Sequence, residues 1–179
     1  KPAAAKPVAA QADSPIYLVN ASFEDIPRAG DPPTGWYDCG APGETPPDVQ
    51  PGFFSVNKQA AQGSTYLGLV VRDNETSEAV SQRLAAPLEE GKCYTWSLQL
   101  CRAELYSSQS RKTGETVNYS TPAKLRVWGG SGYCNKRELL AETSPIKNDR
   151  WLQYDFRLQP KQTATYIIIE AYYVTPLMF

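Results

Sequence analysis

Residues 92–102 constrain the fold more than any other part of the sequence, because their side chains alternate between apolar and polar. The apolar positions of this repeat are Tyr94, Trp96, Leu98 and Leu100. An alternation of period two is the pattern of a β-strand that buries one face and exposes the other. Short apolar or alternating segments recur at residues 16–19, 53–56, 65–71, 78–84, 123–128, 150–158 and 165–174.

These segments are separated by turn-forming residues rather than by helices. No stretch between them has the period and length of a crossover helix, and this excludes a parallel α/β fold. The sequence therefore predicts an all-β domain over residues 15–179, a jelly-roll β-sandwich of about nine strands with long loops. Residues 1–14 are dominated by alanine, with two prolines, and they predict a flexible Ala/Pro linker.

Several segments between the predicted strands have a composition that indicates their conformation. The proline- and glycine-rich residues 27–52 predict a long ordered loop, and the polar residues 107–121 predict a long surface loop. Gly129 and Gly130 follow Trp128 and predict a sharp turn, since glycine readily adopts positive φ. Residues 135–141 predict a short helix or an edge element.

The composition limits the chemistry of the chain. It contains no histidine, which is the commonest general base and transition-metal ligand. Its adjacent acids, Glu89 with Glu90 and Asp73 near Glu75, fall in a turn and a polar loop, and nucleophile-elbow, P-loop and zinc-protease motifs are missing. The net charge of -1 gives no reason to expect nucleic acid, and no apolar run approaches the ~18 residues of a transmembrane helix. We therefore expect a protein that is not an enzyme.

The four cysteines indicate disulfides in an oxidising compartment, with reduced, buried cysteines as the alternative. Cys93 and Cys101 lie eight positions apart in the alternating segment. At ~3.3 Å per residue they stand ~26 Å apart, too far to pair within one strand. Each therefore pairs with Cys39 or Cys134 or stays free, and the sequence does not choose among these pairings.

Five short motifs together resemble a known family. Leu-Val-Asn-Ala-Ser-Phe-Glu at residues 18–24 is followed by Pro-Thr-Gly-Trp at 33–36, Gly-Ser-Thr-Tyr-Leu at 63–67, a Val-Ser-Gln-Arg-Leu segment that begins at 80, and Trp-Leu-Gln-Tyr-Asp-Phe at 151–156. Their order resembles carbohydrate-binding-module-like jelly rolls of the galactose-binding-like architecture, as found in surface and envelope proteins of Bacteroidota. Such domains close with a strand resembling Leu-Leu-Asp-Asn, which this sequence lacks, so the resemblance implies a sandwich without its closing strand.

The resemblance also implies a structural calcium ion. In the family, the glutamate of the first motif joins other oxygen ligands around Ca²⁺. The matching residue is Glu24, with Asn20 nearby, and oxygen ligands are those that calcium prefers. We expect no other cofactor.

Aromatic residues are the candidates for ligand binding. Trp128, before the two glycines, is the best candidate for an exposed platform, and Tyr106 and Tyr119 flank the polar insertion. Flat aromatic rings beside polar groups suit sugars. The alternative is that all four tryptophans are structural.

These features favour a non-catalytic structural or binding module outside the cytoplasm, in the periplasm or at the cell surface, where the tail is a candidate tether to the outer membrane. The leading hypothesis is an accessory subunit or domain with protein partners in an envelope assembly. The alternative is a glycan-binding module that uses the loop aromatics near Trp128.

Overall fold

The computed structural model describes residues 14–173, which form eleven strands joined by turns and loops, with no helix among them. The strands are β1 (Tyr37–Asp38), β2 (Asp48–Gln50), β3 (Tyr66–Gly68), β4 (Ala79–Leu88), β5 (Tyr94–Leu100), β6 (Ser107–Gln109), β7 (Thr116–Asn118), β8 (Lys124–Gly130), β9 (Glu138–Glu142), β10 (Leu152–Leu158) and β11 (Ala164–Tyr172). The predicted all-β class is confirmed. The linker predicted for residues 1–14 lies, apart from Ser14, outside the described residues.

The strands form two layers. The first layer is a five-stranded antiparallel sheet in the order β1-β4-β11-β8-β9. The second layer contains the antiparallel pair β5–β10 and, separately, the pair β2–β3, while β6 and β7 form a further hairpin. This arrangement is consistent with a β-sandwich, and the jelly-roll connectivity stays a prediction.

The core lies between the layers. Val80, Val127 and Ile169 come from the inner face of the first sheet, and Phe156 and Leu158 come from β10. All five are at most 7% exposed, and burying a side chain of this kind fully contributes roughly 1.5–3 kcal/mol. The alternation predicted for residues 92–102 is confirmed in β5, where each apolar side chain is half-buried against the core and each polar one is exposed.

Several segments differ from the sequence prediction, and residues 27–52, expected to be a long ordered loop, contain β1 and β2. Residues 16–19 and 53–56 were expected to be strands but are turn or irregular backbone, and Phe54 and Ser55 have positive φ values of 54° and 65°. Residues 107–121 contain the β6–β7 hairpin rather than a structureless loop. Polar contacts hold this hairpin in place, such as Ser110 Oγ donating to Asp73 Oδ2 at 2.5 Å. The sequence of the β6–β7 hairpin therefore has no apolar periodicity from which its strands could be predicted.

The expected turn at Gly129 and Gly130 is also wrong, because both glycines continue β8. The chain turns afterwards, and residues 131–137 pass back over the sheet. A Cβ at Gly130 would overlap the backbone carbonyl of Asn135 in that segment, so the glycine is needed for close approach rather than for a turn. The segment then leads into β9, which confirms the edge element among the two predictions for residues 135–141.

Candidate functional site

The segment 131–137, called the covering loop, lies on the outer face of the first sheet. A disulfide between Cys134 of the loop and Cys39, which follows β1, fixes its position, with the Cα atoms 5.1 Å apart. Lys136 of the loop forms an ion pair with Glu170 of β11, and Glu170 also accepts a hydrogen bond from Trp128 Nε1 at 3.4 Å. The loop explains why β11 is buried on both faces, with Ile168 at 0% and Glu170 at 5% exposure.

Three tyrosines meet at the edge of the covering loop, and they are called the tyrosine surface. The ring centroids of Tyr37 and Tyr133 are 4.7 Å apart, and those of Tyr133 and Tyr166 are 4.8 Å apart in an edge-on arrangement. Tyr37 and Tyr133 remain 55% and 51% exposed. Both are within two residues of a disulfide-bonded cysteine, so the bond holds an exposed aromatic pair in one arrangement before any ligand arrives.

Charged groups lie beside this surface on the same face of the sheet. The Arg126 guanidinium stacks 3.3 Å from the ring centroid of Tyr172 and also faces the ring of Trp128 at 5.9 Å. Burial lowers the pKa of Lys136, and the positive charge of Arg126 lowers it further. Lys136 is paired with Glu170 and Arg126 with Glu142, so the charged groups on this face form ion pairs.

Of the aromatics that the sequence singled out, the structure brings Tyr106 and Tyr119 together and places Trp128 elsewhere. Trp128 lies within β8, half-buried, in register between Leu139 and Ile168. The ring of Tyr106 is 8% exposed and belongs to a small core cluster, where Tyr119 packs against it edge-on at 6.5 Å.

Both predicted tyrosines use their hydroxyl groups internally. Tyr106 Oη donates to Asp48 Oδ2 at 2.9 Å, and Tyr119 Oη donates to Asp73 Oδ1 at 3.1 Å. The buried Tyr106 ring offers no platform to a ligand. Sequence reasoning missed Tyr37 and Tyr133, although the proximity of each to a cysteine is a signal that a disulfide would bring them together.

Asn20 and Glu24, the expected calcium ligands, organise the surrounding loops. Asn20 Nδ2 donates to the carbonyl oxygens of Glu24 and Thr34 at 3.0 and 2.9 Å, and Asn20 Oδ1 accepts from the Glu24 amide. The Glu24 carboxylate accepts from the amide of Ser64 at 2.9 Å and from the hydroxyl of Thr65 at 3.3 Å. Within residues 14–173 no group of three acidic or cysteine side chains is placed to hold a metal. Calcium takes ~6–8 oxygen ligands of several kinds, and the site at Asn20 and Glu24 stays a prediction.

The buried acids are bound to internal donors. Glu78 receives hydrogen bonds from Arg72 at 2.6 Å and from the Val70 amide at 3.0 Å. Asp48 accepts from Tyr106 and from the amide of Gly30 at 2.8 Å, while burial raises its pKa. Both carboxylates are at most 2% exposed, and these contacts supply the hydrogen bonds that buried acids require.

The cysteine predictions are confirmed in part. Cys39 pairs with Cys134, and Cys93 and Cys101 do not pair with each other, as their positions in one strand require. Both are free thiols at opposite ends of β5, so the described residues contain one disulfide rather than two. Burial raises the pKa of Cys101 to about 11, whereas Cys93 is exposed and accepts a hydrogen bond from Arg157 Nε at 2.8 Å.

No known family matches the chain, and no curated protein sequence is significantly similar to it. Across residues 14–173, no helix is long and apolar enough to cross a membrane.

Proposed function

We propose that the protein is a non-catalytic binding module of the cell envelope, an accessory subunit or domain that contacts a protein partner through the tyrosine surface. The observation that carries this proposal is the exposed ring pair Tyr37–Tyr133, in tilted contact and held by the Cys39–Cys134 disulfide. Tyrosine is enriched at protein interfaces because it buries a large apolar area and still presents a hydroxyl group.

Preorganisation strengthens the case for this surface. Ordering interface side chains on binding costs about 0.5–1.5 kcal/mol for each rotamer-rich side chain. The Tyr37 and Tyr133 rings already contact each other, and the Tyr166 ring supports one side of the pair. Leu139, which is 42% exposed, lies on the same face of the sheet next to Trp128 and extends the apolar area.

Two further observations support a non-catalytic module outside the cytoplasm. The buried carboxylates of Asp48, Glu78 and Glu170 are hydrogen-bonded to internal partners, so these groups act as structural elements rather than as acids or bases. A disulfide persists in an oxidising compartment, and this supports a periplasmic or extracellular location.

The test is affinity capture from a detergent extract of cell envelopes with three forms of the protein. We expect one partner to be captured by the wild type and by Tyr17→Ala, a matched control at a residue that is 76% exposed. The same partner is lost with the double variant Tyr37→Ala/Tyr133→Ala. An identical captured set for all three forms would reject the tyrosine surface as the interface.

A glycan is the second candidate ligand, because Tyr133 is an exposed aromatic ring in the loop that follows Trp128. A sugar ring can stack on such a face. A glycan array probed with the wild type, Tyr133→Ala and Trp128→Ala tests it. Binding that Tyr133→Ala abolishes supports the glycan, and binding of the wild type to no glycan removes this candidate.

A further inference from the structure

The second layer of the sandwich contains a gap between β3 and β5. The two strands belong to separate two-stranded sheets, although both line one cavity of about 520 Å³. Its floor is the inner face of the first sheet, with Leu125, Ile169 and Ala171. A volume of this size equals roughly 17 water molecules at about 30 Å³ each, and it falls within the roughly 300–1,000 Å³ of ligand sites. This cavity with its two bordering strands is called the strand gap.

The backbone edges of both strands border the strand gap. Its lining includes the whole of β3 and residues 98–100 of β5. Consecutive residues of a strand point to opposite faces, so a cavity lined by all of them, including Gly68 and Gln99, lies along the edge of each strand. Within residues 14–173, β3 pairs only with β2 and β5 pairs only with β10. In an antiparallel pair, alternate N–H and C=O groups point away from the partner and are available to another strand.

The side chains of the strand gap are apolar and incompletely covered. Leu67 and Leu69 on one side, and Leu98 and Leu100 on the other, are half-buried and pack against the main core. By comparison, Leu158 of β10 in the same layer is 2% exposed. An occupant with apolar side chains directed at the floor would complete the layer.

The charged groups around the strand gap are mainly basic. Lys58, Arg102, Lys124 and Glu104 line it, and Lys124 is already paired with Glu142 at 2.9 Å, which leaves Lys58 and Arg102 against Glu104. The Lys58 ammonium is 4.0 Å from the Glu104 carboxylate, whose side chain is 65% exposed. An acidic residue in the occupant would complement this charge.

We propose that the strand gap accepts an extended segment of a partner protein, which pairs with the edges of β3 and β5, directs alternate apolar side chains at Ile169, and carries an acidic residue near Lys58. Paired backbone groups would provide affinity and the alternating pockets would provide specificity, as in other cases of strand addition. The strand gap belongs to the second layer, whereas the tyrosine surface lies on the outer face of the first, so the two proposals stand or fall independently.

The two free cysteines provide a matched reporter pair for a test on the full chain. Cys101 lines the strand gap, while Cys93 lies at the other end of β5 outside its lining. The probe is a peptide about six residues long, the usual length of a strand, that alternates valine and threonine and ends in aspartate. A second peptide carries a central proline, which cannot donate to a ladder.

At a peptide concentration about ten times its dissociation constant, we expect maleimide labelling of Cys101 to slow about tenfold and that of Cys93 to stay unchanged. The proline peptide should give no protection. Ala171→Phe, which fills the floor of the strand gap, should abolish protection while the circular dichroism spectrum stays that of the wild type. Lys58→Gln should weaken binding of the peptide that ends in aspartate and leave binding of a peptide that ends in asparagine unchanged.

Three results would overturn the proposal. One is an unchanged labelling rate of Cys101 with the alternating peptide. Another is equal protection by the proline peptide or by laurate, which would show that any apolar ligand fills the cavity. The third is faster labelling of Cys101 after deletion of residues 174–179, which would assign the strand gap to a segment of this chain. Should Ala171→Phe fail to fold, the comparison of the two peptides on the wild type still decides.

Discussion

Loss of the Cys39–Cys134 disulfide should destabilise the protein strongly, because the bond closes a long loop. The two cysteines are 95 positions apart. In the chain-entropy description, a crosslink of this span removes about 16 cal/mol/K of entropy from the unfolded chain, which is about 4.7 kcal/mol at 25 °C. For a chain of this size, 1 kcal/mol shifts the melting temperature by roughly 2–4 °C, so the expected decrease is roughly 9–19 °C.

The assay is urea unfolding of the wild type, Cys39→Ser, Cys134→Ser and the double variant, followed by tryptophan fluorescence. Each single variant should lose most of the 4.7 kcal/mol, and the double variant should lose no more than either single one, because all three lack the same bond. Cys93→Ser is the matched control, since this free, exposed thiol takes no part in the disulfide.

Two results would refute the reasoning. The first is an unchanged unfolding free energy in Cys134→Ser while a thiol assay confirms that Cys39 is free. The second is a loss in the Cys93→Ser control as large as that in the disulfide variants, because the span of the loop would then not explain either loss.

The remaining predictions concern single sites. Gly130→Ala should cost roughly 1–3 kcal/mol in urea unfolding, because the new methyl group overlaps the backbone of the covering loop. Tyr106→Phe should cost roughly 1–3 kcal/mol, because buried Asp48 loses a donor. Asp25, whose pKa is held well below 3.8 by the hydrogen bond from the Arg28 guanidinium, stabilises the fold above that pH. The melting temperature of Asp25→Asn should therefore be lower than that of the wild type at pH 7, and the difference should shrink as the pH falls below 3.8 through the lowered pKa. The calcium site predicted at Asn20 and Glu24 is tested with a chelator and differential scanning fluorimetry. A bound Ca²⁺ that stabilises the fold requires a lower melting temperature after chelation, and an unchanged value removes the site.

The features that were predictable from the sequence depend on neighbouring residues. The alternation that predicts β5 is a property of a strand with one solvated face, and it holds regardless of what packs on the other face. The rejected Cys93–Cys101 pair follows from the length of an extended strand alone. Edge element β9 was one of two alternatives, because a short segment does not show enough of its period to separate helix from strand.

The features that were missed depend on contacts between distant segments. Gly129 and Gly130 carry a turn signal locally, but they lie in β8 because the covering loop needs room above them. Tyr37 and Tyr133 belong to different parts of the chain, and only the fold and its disulfide place their rings 4.7 Å apart. Tyr106 stands next to the polar residues 107–121, so its local sequence does not indicate a buried ring. In the fold the ring is buried, and its hydroxyl group donates a hydrogen bond to the carboxylate of Asp48.

The two layers differ in how they satisfy the backbone of their strands, and this difference determines where partners can bind. In the first sheet, the central strand β11 has partners on both sides and the covering loop over its outer face, so its backbone is paired and Ile168 is fully buried. The tyrosine surface consists of side chains such as Tyr37 and Tyr133, while the edge strands of this sheet are β1 and β9. Within residues 14–173, β3 and β5 of the second layer each keep an unpaired edge around an apolar cavity. Recognition at the tyrosine surface would therefore use side chains, and recognition at the strand gap would use backbone hydrogen bonds. On the two proposals, a rigid aromatic patch and an open strand edge on separate layers would give one small domain two independent ways to join an assembly.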